Sequence, residues 1–302
     1  MTWRKFYLAV GLFCCSVPAF AECGATGMFL QVLGSGGPAP DVGRASSSYL
    51  VWVDGKARLM VDAGGGAFLR FAESKARIED LDAILLTHLH ADHAGEMPTL
   101  IKGAFFTKRT RPLTIIGPAG GGQFPGVQEF MRDLLNPDTG AFRYLSGYLD
   151  GSGGLFKLDI KELDSHKGKV SQVQLDDIQI QSVGVEHGAV PAVGYLIRLR
   201  GKTLAFSGDQ NGNNPAFGAL IKQADRLVMT HAVPEAADAV ATRLHARPSE
   251  IGALAQTAGV KQLLLSHLMQ RSLDTLDDNL KSIRARYKGD VKVAQDLMCL
   301  PM

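Results

Sequence analysis

Thr87-His88-Leu89-His90-Ala91-Asp92-His93-Ala94-Gly95 puts three histidines and an aspartate within six positions. It follows directly on Leu81–Leu86, an apolar run of the length of a buried strand. On extended backbone leaving that strand, His88 and His90 point to the same side, because side chains two apart share a face. Asp92 and His93 fall where the chain turns into a helix, so they reach a neighbouring position. One short segment can thus give two ligands to one cation and two to a second. Imidazole and carboxylate donors suit zinc, and manganese or iron accept them too.

Three further candidates stand beyond the ends of strand-like runs. His187 follows Ile178–Val185, Asp209 follows Thr203–Phe206 in Ser207-Gly208-Asp209, and His267 follows Gln262–Leu265 in Ser266-His267. Folds that mix strands and helices place their sites at such ends. His245, in His245-Ala246-Arg247-Pro248-Ser249, precedes a helix expected over Pro248–Thr257. His166 lies in a polar turn and receives no role, whereas His231, after the run Arg226–Met229, fits either a site-lining or a core position.

Further out, strands are expected at Met28–Leu33, Ser48–Val53, Arg58–Val61, Leu113–Ile116 and Gly194–Arg200, bounded by Gly, Pro and Asp. Helical stretches at Ala67–Lys75, Val127–Leu135, Pro215–Lys222 and Leu273–Tyr287 are interspersed with them. Gly140–Gly154, with Phe142, Tyr144 and Tyr148, reads as a loop over a site. Strands apolar on both faces, with helices throughout, predict an α/β fold of two sheets with helices outside, in a single domain from residue 22 to 302. With 302 residues, 46% of them hydrophobic, the chain can bury a substantial core, and a net charge of +2 does not mark a general nucleic-acid or membrane-surface binder.

The N-terminus reads as an export signal over residues 1–21. Arg4 and Lys5 precede the apolar run Phe6–Val17, and Pro18 and Ala19-Phe20-Ala21 then supply a break and a small-residue cleavage site. The run is too short to span a bilayer comfortably, so no stable membrane insertion is expected after cleavage, and the mature protein is placed in the periplasm or outside the cell. Cleavage leaves Cys23 and Cys299, which an oxidising compartment allows to pair.

The histidine-aspartate segment resembles the metallo-β-lactamase superfamily. The likeness extends from Leu33-Gly34-Ser35-Gly36-Gly37 through Asp62-Ala63-Gly64 to Ser266-His267, and Arg111-Pro112-Leu113 and Gly117-Pro118 draw it toward the ribonuclease Z and phosphodiesterase-like branch. The resemblance implies a four-layer αββα sandwich holding two divalent metal ions, zinc in the first instance. One ion would take His88, His90 and His187, the other Asp92, His93 and His267, with Asp209 bridging. A water shared by two cations is acidified toward hydroxide near neutral pH. Asp92 would orient it, and His245 would stabilise the transition state or protonate the leaving group.

The branch's pattern is broken in three ways. Ribonuclease Z carries a long tRNA-gripping arm between the positions of His187 and Asp209, and only twenty-two positions separate them here. The glutamate that partners the His245-like residue is absent beside His231; Glu235 comes a few residues late. An exported protein would not meet precursor tRNA. The expectation is therefore a hydrolase of small phosphodiester or related ester substrates, with lactone or β-lactam hydrolysis as the alternative. A metal- or ligand-binding protein without turnover is a second alternative. Expected partners are a small-molecule ester and no tRNA, with a homodimer left open.

Overall fold

A computed structural model describes Cys23, residues 25–40 and residues 43–302. The export signal expected over residues 1–21 lies outside the described residues. The described strands form two seven-stranded sheets. The first contains β1 (Met28–Gly34), β2 (Ser48–Val53), β3 (Lys56–Ala63), β4 (Ala83–Leu85), β5 (Leu113–Pro118) and β6 (Leu158–Leu163) in chain order. The second runs from β7 (Val170–Leu175) through β8 (Ile178–His187), β9 (Val190–Leu199), β10 (Lys202–Phe206), β11 (Arg226–Thr230) and β12 (Gln262–Ser266) to β13 (Asp290–Val293). The last strand, β14 (Cys299–Pro301), returns to the first sheet beside β1.

Three apolar clusters account for the layering. Between the sheets lie Leu30, Val51, Val61, Leu85, Ile180, Tyr195, Phe206 and Leu264. On the outer face of the first sheet, Met60, Ile84 and Ile115 pack against helices Ala67–Glu73, Met97–Ala104 and Val127–Leu135 through Phe71, Leu100 and Met131. On the outer face of the second, Leu196, Leu227 and Leu263 meet Phe217, Ile251 and Ile283 from helices Pro215–Leu220, Pro248–Ala258 and Leu276–Arg286. Strands such as β2, buried at every residue, read as continuous apolar runs because both faces are covered. The result is the expected αββα arrangement.

Strand direction sets where the site forms. β3, β4, β5 and β6 are mutually parallel, as are β10, β11, β12 and β13. β8 and β10 each run antiparallel to β9, so they share one direction. The C-terminal ends of β3, β4, β8, β10, β11 and β12 therefore come out along one edge of the sandwich. Bonds between the sheets fix that edge: Val193 N–H donates to Thr87 O (2.9 Å), Tyr195 OH to Leu86 O (2.8 Å) and Tyr49 OH to Ser266 Oγ (2.8 Å).

Gly140–Gly154 departs from the expected loop over a site. It forms short turns of helix against the first sheet's outer layer, with Tyr148 buried and its ring 4.9 Å from that of Phe156. The expected helix Leu273–Tyr287 is two pieces, Gln270–Leu273 and Leu276–Arg286. Cys23 and Cys299 form a disulfide, their Cα atoms 5.7 Å apart, and Cys299 opens β14, so the bond ties the start of the described chain to its last strand.

Candidate metal centre

All seven expected ligands meet at this edge. His88 and His90 leave β4 on extended backbone, and a single helical turn, Ala91–Ala94, carries Asp92 and His93. Main-chain bonds from the N–H groups of His93 and Ala94 to His90 O, both 2.9 Å, close that turn. Gly64 makes room for it, because a Cβ there would lie 2.1 Å from Asp92 O. His187 ends β8, Asp209 follows β10 and His267 follows β12.

Two triads result. His88, His90 and His187 present ring nitrogens to one point, with rings 4.7 to 5.1 Å apart. Asp92, His93 and His267 converge on a second. Asp209 stands between: its Oδ2 is 3.8 Å from His187 Nε2 and 3.2 Å from His267 Nε2, and its Oδ1 is 3.6 Å from His93 Nε2. His245 joins the cluster, with Nδ1 4.0 Å from Asp209 Oδ2 and its ring 5.4 Å from that of His187. His90 is the exposed member; the other seven side chains are buried. His166 stays apart, exposed and paired with Asp164.

Residues behind these aim them, and here the sequence signal was incomplete. Asp62, at the end of β3, accepts hydrogen bonds from Thr87 N–H (2.7 Å) and Thr87 Oγ1, and faces His93 Nδ1 at 2.8 Å. A proton on Nδ1 then leaves Nε2 bare and pointed into the site. His187 Nδ1 donates to Leu244 O (3.1 Å), which likewise turns Nε2 inward. Thr230 Oγ1 donates to Asp209 Oδ1 (3.0 Å) and holds that carboxylate between the triads. Asp62 and His267 both take φ near +57° and +55°, a left-handed conformation costing on the order of 1 kcal/mol or more for such residues. His231 resolves as a core residue: it is wholly buried, and its Nε2 faces Asn279 Nδ2 at 3.3 Å.

The electrostatics match a cation site. Three carboxylates, Asp62, Asp92 and Asp209, lie within one buried cluster. His93 Nε2 is buried without a hydrogen-bond partner, and His88 Nε2 faces His90 Nδ1 at 3.1 Å, nitrogen to nitrogen. Such convergent lone pairs and carboxylates fit divalent ions. Burial opposes charging of both Asp209 and His267, yet their mutual attraction wins. It holds Asp209 well below the carboxylate range and, with Asp92, lifts His267 to about 10. Burial, reinforced by His93, pushes His88 well below its ordinary value. Burial also takes His245 down to about 4 against the pull of Asp209, so its ring is neutral near pH 7.

The chain's relationships agree with this geometry. Residues 57–268 match the family model described as a beta-lactamase superfamily domain. A ribonuclease Z from Mycolicibacterium paratuberculosis is 27% identical over 279 residues, covering 89% of this chain and 96% of that protein. Among solved structures, the metallo-beta-lactamase fold protein YhfI from Bacillus subtilis superposes with a TM-score of 0.71 at 20% identity, covering 90% of this chain and 98% of that one. The short form of human tRNase Z does so with a TM-score of 0.69 at 19% identity, covering 91% of this chain and all of that one. The chain belongs to the beta-lactamase superfamily, and it is a metal-dependent hydrolase on the side of that family where the ribonuclease Z proteins stand.

Proposed function

We propose that the protein is an exported hydrolase with two divalent ions, zinc by preference, acting on small phosphodiesters or related esters. The observation that carries this reading is Asp209, within 4 Å of His93, His187 and His267 and so between the two triads. A single carboxylate spanning both triads favours a short separation between the ions, which suits a phosphoryl group with its entering and leaving oxygens on opposite sides. When bound, the ions acidify a water and withdraw charge from the scissile group.

The chain's own residues do the rest. Asp62 and Leu244 fix the tautomers of His93 and His187. Asp92, whose Oδ2 stands 3.1 Å from His267 Nε2 in the second triad, would help hold an ion there and orient the attacking water. His245, neutral and with no hydrogen-bond partner on Nδ1, can give one ring N–H hydrogen bond to the departing oxygen and stabilise its growing charge while keeping the proton.

The short connection between His187 and Asp209 supports a compact substrate. β9 and β10 occupy nearly all of it, which leaves no length for an arm that grips RNA. The disulfide supports export, since such bonds persist in oxidising compartments. A panel of bis(p-nitrophenyl) phosphate, lactones, β-lactams and precursor tRNA tests the reading with metal-loaded protein. Fastest turnover of the phosphodiester is expected; β-lactam, lactone or tRNA turnover faster by orders of magnitude contradicts it.

A further inference from the structure

We infer that Glu235 is a positioning residue for His245 and acts through the start of the helix Pro248–Ala258; this rests on the role given to His245 above. The His245 ring lies against those of His187 and His267, at 5.4 and 5.6 Å, but no hydrogen bond holds its buried Nδ1, and the nearest carboxylate oxygen, on Asp209, is 4.0 Å away. Its aim therefore depends on where its backbone is held.

Two clamps hold it. On the metal side, Ala246 N–H donates to Gln210 O (3.0 Å) and Leu244 O accepts from His187 Nδ1. Gly212 lets the chain pack there, since a Cβ on it would lie 2.9 Å from the Ala246 Cβ. On the other side, the Glu235 carboxylate grips Ser249 with both oxygens, accepting from Ser249 N–H at 2.8 Å and from Ser249 Oγ at 2.6 Å. Ser249 is the second residue of the helix, and only Ala246, Arg247 and Pro248 separate it from His245. An acidic group over free helix N–H groups is also well placed against the helix dipole.

Glu235 is itself tied into the buried interior. Its N–H donates to Asn279 Oδ1 at 3.3 Å, while Asn279 Nδ2 donates to Ser272 O (3.0 Å) and Thr275 Oγ1 (3.1 Å) and faces His231 Nε2. Arg271 Nε secures the same segment at Ala232 O (2.7 Å). The carboxylate that comes late in the sequence thus reaches His245 through the helix rather than through its ring.

The test is a double-mutant cycle between Glu235 and His245, read as kcat, KM and bound metal with diphenyl phosphate, whose phenolate leaves poorly. Glu235→Ala is expected to lower kcat on the order of tenfold, a fraction of an ångström of misplacement being enough, with KM and metal content unchanged. Glu235→Gln keeps an acceptor for Ser249 N–H and recovers most of the rate. In a His245→Ala background, Glu235→Ala changes kcat by less than about twofold, because the residue it positions is gone. Ser249→Ala removes one of the two bonds, gives the same pattern at smaller amplitude, and serves if Glu235→Ala does not fold. A full tenfold loss in the His245→Ala background, or loss of bound metal, overturns the positioning role alone. An unimpaired His245→Ala rate overturns the role of His245, and the positioning role with it.

Discussion

Asp62→Asn changes one oxygen to an amide and isolates the aiming of a single ligand. The native carboxylate has both oxygens in use: Oδ1 accepts from Thr87 N–H at 2.7 Å, and Oδ2 faces His93 Nδ1 at 2.8 Å. The asparagine must set its NH2 against one of these. A backbone N–H cannot give up its proton, so the amide oxygen stays with Thr87 and the NH2 turns to His93. His93 Nδ1 then becomes an acceptor, the ring proton moves to Nε2, and an N–H points where a lone pair is needed. Changes behind a metal ligand of this kind cost about 10- to 100-fold in affinity, or roughly 1.4 to 2.8 kcal/mol. Competition with a chromogenic chelator measures the loss, and circular dichroism confirms that the fold is kept. A folded Asp62→Asn protein with unchanged affinity at both sites would refute the tautomer argument.

Other substitutions separate structure from chemistry. Asp209→Ala should reduce bound metal well below that of His245→Ala, which should keep its ions; elemental analysis compares them. His245→Ala should slow release of poor leaving groups far more than release of nitrophenolate, whose charge is spread over its ring and gains less from a hydrogen bond to oxygen. Burial lowers His231 from 6.5 to about 4, so the native state resists a proton that the unfolded chain accepts. Stability is then full above about pH 6.5 and falls as the pH drops toward 4, by up to roughly 3 kcal/mol. In chelator, urea unfolding of His231→Gln should show a shallower acid loss than the parent, and parallel curves would remove His231 as the cause. Cys23 and Cys299, 276 positions apart, should appear as a disulfide in the intact mass of exported protein; breaking it should cost roughly 5 to 6 kcal/mol in the chain-entropy model.

The residues that converge on the candidate metal centre were legible because their signal is local. His88 to His93 lie together at the end of an apolar strand, and His187, Asp209 and His267 each mark the end of another. The roles of Asp62 and Thr230 were not, since each depends on a contact across twenty or more residues with a side chain on a neighbouring strand end. Edge strands were also faint. β7, with the sequence Val170-Ser171-Gln172-Val173-Gln174-Leu175, is half polar with no residue fully buried, and β13 has only four residues. The break before Leu276 comes from Asn279, whose side-chain amide binds Ser272 O and Thr275 Oγ1. The aromatic residues of Gly140–Gly154 looked like the lining of a site, but burial of Tyr148 is served equally well by the core.

The central claim is that two triads joined by Asp209 hold two ions and turn over a phosphodiester. Chelator-stripped protein titrated with Zn2+ while bis(p-nitrophenyl) phosphate hydrolysis is followed tests it most directly. The account predicts a rate that rises and levels at two ions per chain. A plateau at one ion, or folded and fully loaded protein with no hydrolysis, would contradict it.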